Sequence, residues 1–226
     1  MEHFVKILKI ESLTPNIKRF IVEKPKNYNF IPGQHTIVSI NKSELKDTLK
    51  GINKKRPFSI SSSNKDNFLE FIIKIYPERN GITKEFDKLK PKDELIIGEP
   101  KGKMSYQGNG TFIAAGTGIN PFFSIIKSLD EKERKNNFLI YSNKTKNQII
   151  LKKELKEIFK NNLILTLTQE KVKGYENKRI DKDFLKNNIK NFNQKFYICG
   201  PFKMVRELKQ ALIELGAKEE NVISEI

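Results

Sequence analysis

The spacing of apolar residues changes partway along this 226-residue chain, and that change constrains the fold more than any other feature. In Leu69–Ile75 every second residue is apolar, whereas Glu70 and Lys74 fall on the opposite side. This period of two is expected of a strand with one buried face. Similar stretches, separated by turn residues, occur at Phe4–Ile10, Ile17–Val22, Thr36–Ile40, Pro57–Ser61 and Glu94–Ile97. Six short strands of this kind predict a small closed antiparallel barrel.

Beyond about residue 104 the pattern alternates between strand and helix. Apolar strands are predicted at Thr111–Ala115, Phe138–Tyr141, Leu163–Leu167 and Phe196–Cys199, and a fifth can form at Val222–Ser224. The helical spacing of apolar residues predicts helices over 121–129, 151–159, 184–189 and 204–215. Such alternation predicts a parallel sheet covered on both faces. The glycine-rich stretch Lys103–Gly110 marks the join, so we predict two domains, residues 1–104 and 109–226.

The small number of cysteine and histidine residues excludes several classes of protein. Cys199 is the single cysteine, and His3 and His35 are the two histidines. A disulfide within the chain, an iron–sulfur cluster or a cysteine zinc site therefore cannot form, and we expect no metal site. No apolar run approaches the roughly 20 residues of a membrane span, and the first residues lack the apolar stretch of a secretory signal. The sequence thus predicts a cytoplasmic protein without membrane insertion.

The formal net charge of +16 has two interpretations. It could attract an acidic partner, such as nucleic acid or an acidic redox protein. It could equally reflect an AT-rich genome, because 37 of the 43 basic residues are lysine and Asn and Ile are also abundant. No basic stretch is interleaved with aromatic residues, so we expect no nucleic-acid partner. The lysine-rich stretch Asn41–Lys55 is predicted to be a solvated loop.

Two motifs in the first half could bind a flat cofactor that carries phosphate. In the run RPFSISS at 56–62, Arg56 could hold a phosphate with two hydrogen bonds, the ring of Phe58 could lie against a flat ring, and Ser59 could bind a ring nitrogen. Gly81-Ile82-Thr83 precedes a short predicted helix, whose free N–H groups suit a pyrophosphate. Taken alone, the first motif is also typical of an ordinary barrel strand and the second of a simple capped helix.

Two motifs in the second half each end a predicted strand and open a helix. The run AAGTGINP at 114–121 has small residues that let a ligand approach the backbone, at the strand end where open α/β sheets bind nucleotides. It is not the usual G-x-G-x-x-G fingerprint. The second run, Tyr197 to Pro201 followed by Met204, contains Cys199. A lone cysteine there is more often a packing residue than a nucleophile, and the sequence offers no nearby histidine as its base.

In their order and spacing, these four motifs resemble those of the ferredoxin–NADP⁺ reductase family of flavoproteins, and the resemblance spans the whole chain. It implies a six-stranded antiparallel Greek-key barrel that binds FAD, followed by a doubly wound parallel-sheet domain that binds NADPH or NADH. No cysteine cluster accompanies either domain, so members that carry their own iron–sulfur centre are excluded.

The resemblance also assigns roles to individual residues. Arg56 would pair with the FAD pyrophosphate, Phe58 would stack on the flavin, and Ser59 would approach flavin N5. The expected FAD-binding residues are Arg56, Pro57, Phe58, Ser59, Ile73, Lys74, Gly81, Ile82 and Thr83. Those expected for the nicotinamide nucleotide are Gly116, Thr117, Gly118, Ile119, Pro121, Lys144, Arg179, Cys199, Gly200, Pro201 and Met204. Ser59, Cys199 and Glu225 are the expected catalytic residues, which would tune charge and proton supply around N5.

Three positions depart from the family pattern. Phe58 stands where the family usually has tyrosine, which removes a hydroxyl but keeps the ring. Gln169 follows Thr168 where many NADPH-using members have arginine, so the choice between NADPH and NADH stays open. The sequence ends at Ile226 without the aromatic residue that often covers the second flavin face, so we expect a more open flavin.

The expected reaction is hydride transfer between nicotinamide C4 and flavin N5, followed by electron exchange with a ferredoxin or flavodoxin. Both carriers are typically acidic and suit a basic surface. One alternative is a reductase of free flavin or ferric iron, and another is an FAD-binding subunit of a larger redox complex. The sequence leaves the direction of electron flow and the oligomeric state open.

Overall fold

A computed structural model describes residues 1–41, 54–79 and 81–225 of the chain. The chain divides into two compact units. The first comprises Met1–Gly102 and Phe123–Ser128, and the second comprises Lys103–Phe122 and Leu129–Ile226. Most of the lysine-rich stretch predicted as a loop, and Ile226, lie outside the described residues.

The first unit contains a six-stranded antiparallel sheet in the order β4-β3-β6-β1-β2-β5. Its strands are β1 (Glu2–Thr14), β2 (Ile17–Glu23), β3 (His35–Ile40), β4 (Lys55–Ser59), β5 (Phe68–Lys74) and β6 (Glu94–Gly98). Strand β1 pairs with β6 through Glu2 to Lys6 and with β2 from Ile7 onward, and the pairing with β2 has an irregularity between Ile7 and Lys9. Such bulges bend a strand, which lets β1 take part in both halves of a curved sheet.

The barrel closes where the chain leaves β4. Strand β4 ends at Ser59, two residues earlier than the sequence predicts. The amide of Ile60 still donates to the Gln34 carbonyl, but the amide of Ser61 donates to the Glu70 carbonyl (2.8 Å) on β5. The chain that leaves edge strand β4 therefore changes partner from the β3 side to β5, the strand at the opposite edge, and this contact joins the two edges of the sheet. These observations confirm the predicted six-stranded antiparallel barrel.

The second unit contains a five-stranded parallel sheet in the order β11-β10-β7-β8-β9. The strands are β7 (Gly110–Ala115), β8 (Phe138–Asn143), β9 (Leu163–Leu167), β10 (Lys195–Cys199) and β11 (Val222–Ser224). Helices of the described chain are α1 (Ile82–Glu85), α2 (Asn120–Ser128), α3 (Glu131–Lys135), α4 (Lys152–Phe159), α5 (Lys182–Asn188) and α6 (Phe202–Glu214). Short 3₁₀ turns occupy Phe86–Lys88, Gly116–Ile119, Lys146–Gln148, Lys160–Asn162 and Glu219–Asn221. The predicted doubly wound parallel sheet is confirmed.

Helix α6 illustrates how local sequence sets an element. Its residues Val205, Leu208 and Leu212 fall on one helical face and are buried in the core of the second unit. The helix ends before Gly216, which has a φ of +101° that glycine adopts without strain. The Ala217 amide then donates to the Leu212 carbonyl (2.9 Å), which satisfies one of the last helical acceptors.

Among the described residues, no helix is both long and apolar enough to cross a membrane. In the same part of the chain, no group of three or more His, Cys, Asp or Glu side chains is arranged to hold a metal ion.

Candidate functional site

The parallel sheet has its topological switch point between β7 and β10. From β7 the strand order runs through β8 to β9, whereas from β10 it runs the other way to β11. Ligands of open α/β sheets bind outside the carboxyl ends of the strands at such a point. Two predicted motifs lie there: the 3₁₀ turn Gly116–Ile119 follows β7, and Cys199-Gly200-Pro201 follows β10.

These two motifs touch at Gly118. A Cβ atom added at this residue would fall against the Cys199 carbonyl, 2.6 Å from its carbon and 2.7 Å from the Gly200 nitrogen. Side chains do not pack this closely, so only glycine fits here without movement of the backbone. Gly200 is less strictly confined, because a Cβ there would lie 2.6 Å from the terminal methyl of Met204, the end of a flexible side chain that can move aside. The structure therefore brings the third and fourth motifs together at one strand edge.

Gly116 has a different role in the same turn. Its φ is +54°, in the left-handed region, and a Cβ there would have no heavy atom within 4 Å. The Gly116 carbonyl accepts a hydrogen bond from the Tyr141 hydroxyl (3.0 Å) on β8. Tyr141 is fully buried, and burial raises the pKa of its hydroxyl well above the ordinary value. Tyr141 therefore acts as a neutral donor that fixes the carbonyl of Gly116. The backbone of Gly116 itself remains open to a ligand.

Cys199 and Glu225 interact electrostatically beside this turn. Burial raises the pKa of the Cys199 thiol to about 12, and the negative charge of the nearby Glu225 carboxylate contributes a smaller part of this increase. One Glu225 carboxylate oxygen accepts a hydrogen bond from the Met104 amide (3.0 Å), which holds the carboxylate in place. At neutral pH the cysteine is therefore a neutral thiol. It can pack or donate a weak hydrogen bond, but it is not an activated nucleophile.

In the first unit, the two predicted FAD motifs meet at an aromatic contact. Phe58 on β4 lies edge-on against Phe86, with ring centroids 5.5 Å apart. Phe86 follows α1, whose N-cap is Gly81. A Cβ at Gly81 would meet no heavy atom within 4 Å, so a ligand can approach this backbone. The half-buried Ser59 ends β4 and pairs with His35 of β3.

The other predicted FAD residues differ in how much of each side chain is exposed to a ligand. The Ile73 side chain is fully enclosed in the barrel core, so only its main chain is available to a ligand. The next residue, Lys74, is half-buried with its ammonium 5.6 Å from the centre of the Tyr76 ring. Ile82 is buried in the same core, whereas Arg56 and Thr83 are partly exposed.

The two candidates for a nucleotide 2′-phosphate occupy different settings. Lys144 directly follows β8, its carbonyl accepts from the Gln169 amide (2.9 Å), and the residue is exposed. Arg179 is also exposed, and its guanidinium lies 3.8 Å from the Glu207 carboxylate of α6. A phosphate near Arg179 would therefore compete with an existing carboxylate partner.

Sequence reasoning missed the residues whose side chains hydrogen-bond to the main chain of these motifs. Tyr141 sits in a strand where any large apolar residue would satisfy the pattern, so no signal marks its hydroxyl. The ion pair of Glu70 and Lys127 (2.9 Å) was missed for a similar reason, because its two members are far apart in sequence. Only the alternation within β5 hinted that Glu70 faces away from the barrel core.

Comparison with known proteins agrees with this architecture. Residues 5–106 match the model of the oxidoreductase FAD-binding domain, and residues 112–210 match that of the oxidoreductase NAD-binding domain. NADH-cytochrome b5 reductase 2 of Kluyveromyces lactis is 30% identical over 244 residues, covering 96% of this chain and 81% of that protein.

Solved structures share the fold at lower sequence identity. A ferredoxin NADP⁺ reductase from Neisseria gonorrhoeae with bound FAD and NADP matches with a TM-score of 0.81 and 21% identity, covering 98% of this chain and 97% of that one. The cytochrome b5 reductase domain of Ulva prolifera nitrate reductase matches with a TM-score of 0.80 and 16% identity, covering 99% and 96%.

The chain belongs to the ferredoxin–NADP⁺ reductase family of flavoproteins. It is an NAD(P)H-dependent flavin oxidoreductase whose cofactors are FAD and a nicotinamide nucleotide. The described residues fit this chemistry, because the open backbone at Gly81 and Gly116 suits close approach by phosphate groups.

Proposed function

We propose that this enzyme takes electrons from NADH and delivers them singly to a small acidic redox protein. The carrier would be a ferredoxin, a flavodoxin or a haem protein of the cytochrome b5 kind. The observation that carries the proposal is the match, over 96% of this chain, to a protein named for reducing cytochrome b5 with NADH. The net charge of +16 supports an acidic partner, because opposite charge raises encounter rates by roughly 10 to 10³ at low salt.

Bound FAD supplies the chemistry that accepts a hydride and releases electrons one at a time. The residues of the first unit would bind and orient it. Arg56 would pair with its pyrophosphate, together with the backbone from Gly81 to Thr83. The ring of Phe58 would lie against the flavin, fixed from its edge by Phe86. Ser59 would offer a hydroxyl to the flavin ring, in line with its place at the end of β4.

The second unit would bind and orient the nicotinamide nucleotide. The turn Gly116–Ile119 and Pro121 would hold the pyrophosphate, and Gly200, Pro201 and Met204 would frame the nicotinamide. Cys199 would contribute a neutral thiol, since its raised pKa keeps the proton in place at pH 7. The Glu225 carboxylate, fixed by the Met104 amide, would add negative charge that favours the developing nicotinamide cation.

We propose NADH rather than NADPH as the donor. Gln169 stands where many NADPH-using members have arginine, and Arg179 already faces the Glu207 carboxylate. Of the two candidates for a 2′-phosphate, Lys144 is the one for which no carboxylate partner is described. A single exposed lysine provides little discrimination against NADH, because surface charge pairs contribute roughly 0–1 kcal/mol. A cytoplasmic location remains a prediction from the sequence.

The test begins with anaerobic rapid mixing of the purified FAD-loaded enzyme with NADH and, separately, with NADPH. We expect the flavin band to bleach faster with NADH at equal concentration. Faster bleaching by NADPH would overturn the choice of donor but leave the enzyme class intact.

The reduced enzyme is then mixed with oxidised ferredoxin, flavodoxin, cytochrome b5, free FMN and ferric citrate, at low and at physiological salt. We expect an acidic protein carrier to be reduced fastest, with a rate that falls as salt rises. A rate that is higher with free FMN or ferric iron, and that does not depend on salt, would show that the acceptor is a small diffusible molecule.

A further inference from the structure

A charged cluster is enclosed on the outside of strand β5. The Glu70 side chain is only 5% exposed, and its carboxylate lies 2.9 Å from the Lys127 ammonium and 3.6 Å from Nε of Arg19. Leu69, Phe71 and Ile73 of the same strand fill the barrel core, so Glu70 is buried on the opposite face. A buried carboxylate is strongly unfavourable unless it is paired and hydrogen-bonded. This pairing therefore needs a physical explanation.

The Lys127 ammonium also holds the segment that continues from the predicted flavin motif. It donates to the Ser61 carbonyl at 3.0 Å, in addition to its contact with Glu70. One turn earlier on helix α2, the Ser124 hydroxyl donates to the Ser62 carbonyl at 2.7 Å. Residues three apart on a helix share a face, so both side chains reach the same stretch of backbone.

Glu70 completes the set through its main chain. The Ser61 amide donates to the Glu70 carbonyl (2.8 Å), and the Glu70 amide donates to the Ser62 hydroxyl (3.2 Å). Ser61, Glu70 and Lys127 are thus each bonded to the other two. Ser61 and Ser62 are fully buried, and they lie two and three residues after Ser59.

We propose that Lys127, held by Glu70, is a positioning residue for the flavin site. The ammonium fixes the Ser61 carbonyl, which fixes the exit of strand β4 and hence the hydroxyl and main chain of Ser59. The inference rests on the proposed place of Ser59 in the flavin site and is independent of the electron acceptor. None of the four motifs contains Glu70 or Lys127, so the sequence pattern did not assign them a role.

The central variant is Lys127→Met, which keeps the length of the side chain and removes the ammonium. We expect faster hydrogen exchange in the FAD-free protein for amides of the segment Ile60–Ser63. We also expect an FAD Kd that rises roughly tenfold, because binding would then have to order a segment that the charged hydrogen bond no longer holds. Lys127→Arg retains the charge and donors, so it should keep the FAD Kd close to that of the unchanged protein. Lys132→Met, at an exposed lysine on α3, is the matched control and should alter neither quantity.

A second pair of variants separates positioning from general stability. Ile125→Val, in the fully buried part of the same helix, should lower the Tm without changing segment exchange or FAD affinity. The double variant Lys127→Met with Glu70→Leu replaces both charges with apolar groups, which often restores stability, and Arg19 keeps its ion pair with Glu11 (3.1 Å). Because the bond to the Ser61 carbonyl is still missing, we expect its FAD Kd to stay raised although its Tm recovers.

Each outcome decides the proposal. Recovery of both Tm and FAD affinity in the double variant, or unchanged exchange in Lys127→Met, would overturn it and leave a purely structural ion pair. If the unchanged protein itself failed to bind FAD, the proposed flavin site would fail instead, whereas the exchange of Ile60–Ser63 in the FAD-free protein would still report on the hydrogen bonds. An FAD Kd that stays raised in the double variant although its Tm recovers would support positioning most directly.

Discussion

Replacing Gly118 by alanine tests the contact between the two nucleotide motifs. The new methyl group would start 2.6 Å from the Cys199 carbonyl carbon and 2.7 Å from the Gly200 nitrogen. Ordinary contacts to a Cβ begin near 3.4 Å, and the Cys199 carbonyl oxygen lies closer still than its carbon, so the two backbones must separate by roughly 1 Å. Since the obstacle is main chain on both sides, no flexible side chain can absorb this movement.

The expected cost has two parts. Overpacking of a tight site destabilises by about 1–3 kcal/mol, so the Tm should fall by several degrees. Separating the turn from Cys199 also shifts the groups that would frame the nicotinamide, and a misplacement of about 1 Å can slow a reaction by roughly 10²-fold. We therefore expect the rate of flavin reduction at saturating NADH to fall by one to two orders of magnitude.

Two other glycines provide matched controls. Gly116→Ala meets no atom but must hold a φ of +54°, so it should lose about 1–2 kcal/mol of stability from strain alone. Gly81→Ala meets no atom and has an ordinary extended φ of −159°, so its stability should change little. The assays are thermal unfolding, nucleotide titration and anaerobic flavin bleaching for all three variants. Wild-type stability and bleaching rate in Gly118→Ala would refute the reasoning, because the close approach would then not exist in solution.

Three further predictions concern single side chains. Tyr141→Phe removes the hydrogen bond to Gly116, so it should lower the unfolding free energy by about 0.5–1.5 kcal/mol and weaken nucleotide binding. Tyr28→Phe in the barrel is the control, which should lose similar stability and leave the nucleotide Kd unchanged. Equal nucleotide affinity in both variants would contradict this prediction. Phe58→Tyr restores the hydroxyl usual in the family and should lower the FAD Kd by up to about tenfold, and an unchanged or raised Kd in flavin titration would count against a flavin contact at this ring. Burial raises the pKa of Cys199 to about 12 from an ordinary value near 9. The folded state therefore holds this proton more tightly than the unfolded state, and the resulting stabilisation of the fold is present below pH 9 and is lost as pH rises through 12. The unfolding free energy of Cys199→Ala, measured with urea, should therefore fall less steeply above about pH 9 than that of the unchanged protein, and parallel curves would argue that the thiol is not shielded.

The position of the four motifs could be derived from the sequence because each is a local signal. Strand alternation, the change to helical spacing and the glycines at strand ends depend on residues close together in the chain. They placed Phe58 on a strand and Gly116 at a strand end, as observed. The same alternation in β5 was enough to predict that Ile73 faces the barrel core.

What brings these local signals into one fold depends on pairing between distant residues. No periodicity shows that the chain exchanges strand partners after Ser59, or that Gly118 meets Cys199 across 81 positions of sequence. Nor does it reveal that Lys127 neutralises Glu70 while binding the Ser61 carbonyl. The sequence by itself determined the type and order of the elements, because those follow from which residues alternate between water and an apolar core. Only the tertiary structure decided which backbones approach and which buried charges pair, because these depend on strand order and register.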